Sequence, residues 1–296
     1  MNAMEEPVQQ SELELESFRA LRFTFYGAGS MAEAFVRGML ERGLTSADRI
    51  GMLNRSNQER LSELHNRYGV RVANTTIEKE ELLGIADIVV LAMKPKDAAG
   101  AIAELRPLLR PGTLIISVIA GLSLATMQHL LGQCPIVRTM PNTSSTIGLG
   151  ATGVCTSVEV SDEQRQAALT MLRAVGIVIE TDEPLIDTVT GLSGSGPAYV
   201  YYMMEAMIEA GVKGGLTPEQ ARELTMQTVR GAGEMVRVTG EQPSDLRRKV
   251  TSPNGTTQAA LAVLDDYRFT EGIQSAVHRA RERAQEMGEQ IGRDIR

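Results

Sequence analysis

The chain has 296 residues, 43% apolar and 23% charged, a balance that excludes the disordered and fibrous classes and leaves room for two buried cores. Its formal charge of -7 comes from 30 basic and 37 acidic residues, and the sequence lacks a basic stripe interleaved with aromatic residues, which excludes a nucleic-acid groove. No run approaches the ~20 apolar residues of a membrane-spanning helix.

Residues 1–21 hold Glu5, Glu6, Glu12, Glu14 and Glu16, with neither a basic start nor an apolar stretch, so they read as an acidic N-terminal extension rather than a secretory signal. Across residues 22–182, short apolar runs alternate with segments of helical period: Phe23–Tyr26, Ile50–Asn54, Val70–Val72, Ile88–Met93, Leu114–Val118 and Ile136–Met140. That alternation predicts an α/β domain, a parallel sheet with crossover helices. Gly150–Thr156 and Gly176–Glu180 extend the same sheet and flank a helix that Ser161 can cap and Asp162 and Glu163 complement at its positive end.

Strand signals stop near Thr181, so residues 183–296 are expected to form an all-α second domain. Thr217, Pro218 and Gln220 make a capping box with proline at the first helical position, starting a helix that runs to about Val238. The preceding stretch, Ala198–Val212, is apolar on nearly every face through Tyr199, Tyr201, Tyr202, Met203, Met204 and Met207. Such a helix must be covered all round. A partner subunit is the expected cover, and a central place within the helical domain is the alternative.

The segment Tyr26-Gly27-Ala28-Gly29-Ser30-Met31-Ala32 follows the first strand and opens a helix, the context of a Rossmann-type dinucleotide loop. Gly27 permits the tight turn, Gly29 lets backbone approach a pyrophosphate, and Ala32 allows close helix packing. The helix N-terminus, from Ala28 through Ser30 and Met31, offers N–H groups to phosphate. Where NAD-binding chains carry an acidic ribose clamp, this one has Asn54, Arg55 and Ser56. Arg55 can pair with a 2'-phosphate and its neighbours can donate hydrogen bonds, which favours NADPH, with NADH as a weaker donor; a solvated surface arginine is the alternative. Ala92, Met93, Lys94 and Pro95 close the fourth strand at the carboxyl edge, near the nicotinamide half of such a cofactor. Spacing alone does not decide whether Lys94 touches it or is a plain surface lysine.

Ser252–Thr257 is a loop of small residues before the helical stretch Gln258–Leu264. The backbone and hydroxyls of Ser252, Gly255, Thr256 and Thr257 suit an anion site, or a helix cap without a ligand. Cys134 and Cys155 lie in no CxxC or His-rich spacing and read as buried thiols in a reducing cytosol, with no metal site. His65, His129 and His278 fall in no motif.

Gly27-Ala-Gly-Ser-Met-Ala32, Asn54-Arg-Ser56, Ala92-Met-Lys-Pro95, Met140-Pro-Asn-Thr143, Gly194-Ser-Gly-Pro-Ala-Tyr199 and Ser252-Pro-Asn-Gly-Thr-Thr257 stand in the order and spacing of one family. From about Phe23 to Tyr267 the sequence resembles the pyrroline-5-carboxylate reductases, most specifically between Leu246 and Leu264. The resemblance implies a cytoplasmic, NADPH-dependent enzyme that transfers hydride to the cyclic imine pyrroline-5-carboxylate, giving L-proline. It also implies a homodimer or larger ring assembled through the helical domain. Ser252, Gly255, Thr256 and Thr257 would hold the substrate carboxylate, and the Thr257 hydroxyl would meet the ring nitrogen as the catalytic contact. Asn254 departs from the family's glycine, but asparagine tolerates positive φ, so the turn is expected to survive. A protonated imine accepts hydride directly, so no side chain is assigned as an obligatory acid.

Two other readings compete. β-Hydroxyacid dehydrogenases share the expected folds but carry a lysine four residues past a comparable glycine, where this chain, counted from Gly196, has Val200, its next lysine being Lys213. A non-catalytic NADPH sensor would be expected to have lost the Gly255-Thr256-Thr257 turn, which is present.

Overall fold

The structure, a computed structural model, describes residues 12–295. Contacts divide the chain into two compact units, one running through Gly194 and resuming at Ala280, the other Ser195–Arg279.

The first unit contains α1 (Glu12–Ala20), β1 (Phe23–Tyr26), α2 (Ser30–Glu41), β2 (Ile50–Leu53), α3 (Gln58–Tyr68), β3 (Arg71–Val72), α4 (Thr76–Gly84), β4 (Ile88–Leu91) and α5 (Pro95–Leu105). It continues with β5 (Leu114–Ser117), α6 (Leu124–Leu131), β6 (Ile136–Met140), β7 (Gly150–Thr156), α7 (Asp162–Arg173), β8 (Gly176–Glu180) and α8 (Ile186–Val189). Its eight strands form one sheet in the order β3-β2-β1-β4-β5-β6-β7-β8. β1 pairs in parallel with both β2 and β4, in the register Phe23 to Ile50 and Phe23 to Ile88. The chain thus reverses its direction of travel across the sheet between β1 and β4, the switch point where such folds bind ligands. β6 and β7 are antiparallel, the one such pair in the sheet.

The central strands β1, β2, β4 and β5 are buried along their whole length, as a sheet covered on both faces requires. One apolar layer gathers Phe25, Phe35, Met39, Leu61, Leu64 and Leu172 from β1, α2, α3 and α7. The opposite layer gathers Leu83, Val89, Leu91, Ile102, Leu105 and Met127 from α4, β4, α5 and α6.

The N-terminal extension corrects one expectation. Residues 1–11 lie outside the described part, but α1 is more than an acidic appendage: Phe18 is only 4% exposed and its ring centroid lies 5.3 Å from that of Phe23. Among the glutamates, Phe18 is the buried anchor.

The second unit contains α9 (Gly196–Lys213), α10 (Pro218–Thr239), α11 (Pro243–Lys249), α12 (Thr256–Asp266) and the first part of α13 (Phe269–Ile295). The capping box at α10 is present in both directions, Gln220 N–H to Thr217 Oγ1 at 3.2 Å and Thr217 N–H to Gln220 Oε1 at 3.0 Å, and the helix ends on Gly240 in the left-handed region. A methyl on Gly211 would stand 3.1 Å from the Ala221 Cβ, so glycine lets α9 and α10 approach. No residue of α9 is buried, and Tyr201 and Tyr202 are 55% and 78% exposed. The alternative of a helix enclosed within its own domain is therefore overturned. Among the described residues no helix is long and apolar enough to cross a membrane.

The contact division falls after Gly194, beyond the point at residue 182 where strand signals end. α8 stays with the sheet because Ile186 is 2% exposed and Arg138 of β6 pairs with Glu183 at 2.9 Å and Asp187 at 3.3 Å. The end of α13 does likewise: Ile291 and Ile295 pack on the second apolar layer, and a Cβ on Gly288 would stand 2.9 Å from the Gly121 carbonyl oxygen.

Candidate active site

Gly27 occupies a slot between two strand ends. Its N–H donates to the Leu53 carbonyl at 3.0 Å, while the Ala92 N–H donates to the Tyr26 carbonyl at 2.9 Å. Its φ is +118°, and a Cβ there would overlap the Ala92 carbonyl and stand 2.9 Å from the Met93 nitrogen. Only glycine meets both conditions. This pinch brings Asn54, just past β2, and Ala92, just past β4, to either side of the glycine loop.

Gly29 is different. It caps α2 with an extended backbone, φ -78° and ψ -179°, and a Cβ built on it meets nothing within 4 Å. The space above it is open, and the unpaired N–H groups of the first turn of α2 face outward beside exposed Ser30. That cradle, which a side chain at Gly29 would fill, fits a dinucleotide pyrophosphate.

The Asn54 Oδ1 accepts N–H groups from Ser56 and Asn57, each at 3.3 Å, which closes the turn after β2. Asn57 in turn caps α3 by accepting the Arg60 N–H at 2.9 Å. Arg55 is 84% exposed in its side chain and pairs with Asp97 of α5 at 3.1 Å. Lys94 is the exposed N-cap of α5, with Pro95 at the first helical position and no side-chain cap. The first unit therefore gathers Gly27–Met31, Asn54–Ser56 and Ala92–Pro95 at one carboxyl edge.

Ser252–Thr257 belong to the second unit. Asn254 adopts φ +59°, so asparagine does hold the left-handed position. Its N–H donates to Gln258 Oε1 at 2.6 Å, and the Gly255 N–H donates to the Ser252 carbonyl at 3.0 Å. The helix starts at Thr256 rather than at Gln258, with Gly255 as N-cap and no side-chain cap. The hydroxyls of Ser252 and Thr256 thus do not cap it, and half-buried Thr257 lies in its first turn. Asn142, in the Met140-Pro-Asn motif, donates its amide to the Ser193 carbonyl at 3.1 Å and accepts the Ala151 N–H at 3.2 Å, which ties the motif to β7.

A charged network beside the glycine loop was not legible in the sequence. Glu33, in the first turn of α2, pairs with Arg60 of α3, and it also accepts from Arg67 at 2.9 Å and from the Tyr68 hydroxyl at 2.8 Å. Burial raises the Glu33 pKa, but the hydrogen bonds from Arg60 and Tyr68 and the Arg60 charge outweigh it, leaving the carboxyl below the usual glutamate value. Its partners lie on another helix, so no local spacing signals them. Burial pushes the Cys134 and Cys155 thiols up to about 11. A cleft of about 720 Å³ opens at the opposite, amino edge, between α1, the Arg110–Leu114 turn and α7. None of the residues expected at the site lines it.

A parallel sheet with a glycine loop at its switch point, followed by a helical unit, is the architecture of the Rossmann-type oxidoreductases. The family model described as NADP oxidoreductase coenzyme F420-dependent matches residues 22–121, and the one described as pyrroline-5-carboxylate reductase dimerisation matches residues 183–287. Pyrroline-5-carboxylate reductase 2 of Bacillus subtilis (strain 168) is 45% identical over 268 residues, 90% of this chain and 95% of that protein. The pyrroline-5-carboxylate reductase of Pseudomonas aeruginosa is 38% identical, over 92% of this chain and 98% of its own length. Among solved structures, a pyrroline-5-carboxylate reductase from Coxiella burnetii superposes with a TM-score of 0.84 at 38% identity, covering 90% of this chain and 98% of that one. The Plasmodium falciparum enzyme, solved with NADP bound, gives 0.81 at 29% identity, covering 91% and 99%. The chain belongs to the pyrroline-5-carboxylate reductase family.

Proposed function

We propose that this chain reduces pyrroline-5-carboxylate to L-proline with NADPH, acting in the cytoplasm as a homodimer or larger homo-oligomer. The observation that carries this reading is the reach of the family likeness: it takes in both the sheet unit and the segment with the Ser252–Thr257 turn. NADPH, when bound, would supply the hydride to the carbon of the protonated imine, whose nitrogen keeps its proton and takes up the electron pair of the C=N π bond. Gly27–Met31 hold the pyrophosphate against the N-terminus of α2, and Asn54, Arg55 and Ser56 receive the 2'-phosphate. Ala92, Lys94 and Pro95 border the nicotinamide side. Ser252, Gly255 and Thr256 bind the substrate carboxylate through N–H and hydroxyl groups, and Thr257 meets the ring nitrogen. Because a protonated imine accepts hydride directly, alignment of donor and acceptor carries the rate.

NADPH is the preferred donor on this reading and NADH the weaker one, because Asn54 replaces a carboxylate that would repel a 2'-phosphate. The uncovered apolar face of α9 supports association through the helical unit. The test is the loss of NADPH absorbance on adding pyrroline-5-carboxylate to the purified protein, with proline identified as product. No oxidation in the presence of that imine refutes the proposal.

A further inference from the structure

Arg60 joins the two loops that the proposed cofactor site needs. It lies at the third position of α3, directly after the Asn54–Asn57 turn, and its backbone N–H is held by the Asn57 side chain at 2.9 Å. Its side chain reaches back across the crevice. Nε donates to the Ala28 carbonyl at 3.3 Å, Nη1 donates to Glu63 at 2.7 Å, and Nη2 pairs with Glu33 in the first turn of α2. The pair is largely shielded, with side-chain exposures of 20% for Arg60 and 16% for Glu33. One planar fork therefore grips the glycine loop, the helix that follows it and its own helix at once, a task that a flexible ammonium cannot perform.

Resting on the proposed cofactor site, we infer that Arg60 is a positioning residue: it fixes the glycine loop relative to the 2'-phosphate turn and neutralises Glu33 beside the phosphate cradle. Glu33 needs that partner. A carboxylate in the first turn of α2 suits the helix dipole but opposes a pyrophosphate placed at the same N-terminus. With Arg60 and Arg67 on it, the carboxylate ceases to repel. Because this action falls on the pyrophosphate half, which NADPH and NADH share, both nucleotides depend on Arg60 equally. This separates it from Arg55, whose proposed partner exists only in NADPH.

The experiment is titration of the full-length protein with NADPH and with NADH, followed by nicotinamide fluorescence, alongside the Michaelis constant for pyrroline-5-carboxylate at saturating nucleotide. Arg60→Met is expected to weaken both nucleotides about tenfold, leaving their ratio and the imine's constant unchanged. Arg60→Lys, which keeps the charge and the fold, is expected to weaken both by a smaller factor. Adding Glu33→Gln to Arg60→Met should restore part of the loss. Unchanged nucleotide affinity in folded Arg60→Met or Arg60→Lys protein overturns the inference. Weakening confined to NADPH also overturns it, by making Arg60 a direct 2'-phosphate ligand. Gly29→Val is the control for the underlying reading, because the open space at Gly29 accepts a side chain without disturbing the fold. If Gly29→Val abolishes nucleotide binding and the Arg60 variants do not change it, only the positioning role fails. If neither substitution matters, the glycine-loop assignment itself fails.

Discussion

The carbonyl of Ala92 fills the space that a side chain on Gly27 would need. The end of β4 and the loop after β1 are thus fitted to each other. Gly27→Ala is expected to destabilise the protein through its φ of +118° alone by about 1–3 kcal/mol, and by more once the Ala92 carbonyl is displaced. Thermal melts should show the loss. A variant melting with the parent would mean that the loop can move aside freely.

Arg55→Ala is expected to raise the Michaelis constant for NADPH roughly ten- to a hundredfold, the equivalent of ~1.5–3 kcal/mol for a charge-assisted hydrogen bond. The constant for NADH should stay where it was. The Asp97 ion pair that Arg55 makes in this structure is exposed, so its loss should leave stability nearly unchanged. Steady-state kinetics with both donors decide; an unaltered NADPH constant removes Arg55 from 2'-phosphate recognition.

Thr257→Val keeps the shape and deletes one hydroxyl. Since Gly255 rather than a side chain caps α12, the melting temperature should not move. If the hydroxyl meets the ring nitrogen in the transition state, kcat/KM falls by about 1–3 kcal/mol, roughly five- to a hundred-and-fifty-fold, while NADPH affinity is retained. Unchanged kcat/KM in folded protein would leave Thr257 a plain first-turn residue.

Light scattering at micromolar concentration should give at least a dimer. Tyr202, 78% exposed in the single chain, is expected at the interface, and Tyr202→Arg should weaken association by about 2 kcal/mol or more, near thirtyfold. A stable monomer before substitution would refute association through α9.

The thiols of Cys134 and Cys155 are raised from 9.0 to about 11, so the reactive thiolate at neutral pH is about a hundredfold scarcer than in an ordinary cysteine. Alkylation of native protein by iodoacetamide should be slow at pH 7, accelerate as the pH climbs toward 11, and become fast at pH 8 only after unfolding. Mass spectrometry of timed samples gives the rates.

The sheet was legible because its strands are the short apolar runs themselves: Ile88–Leu91 and Leu114–Ser117 have no other way to be buried on both faces. The glycine loop was legible because its residues are contiguous. Phe18 was not, since one aromatic among glutamates carries no period, and its partner Phe23 is a tertiary matter. The sequence puts the start of α12 two residues late because Thr256 and Thr257 are β-branched and follow Gly255, a combination that reads as loop, although the left-handed turn at Asn254 was legible. Arg60 escaped for the same reason as Phe18: the carboxylate it serves sits on a different helix.

The contact between Gly121 and Gly288 also bears on biosynthesis. A domain encoded without interruption can close while the ribosome still translates the downstream sequence, but this one keeps a place for a helix encoded after the whole helical unit. The surface beneath Ile291 and Ile295 therefore stays uncovered until α13 has emerged. Premature termination anywhere in the helical half would strand that apolar surface in water, making truncated products candidates for aggregation or degradation rather than independent sheet domains.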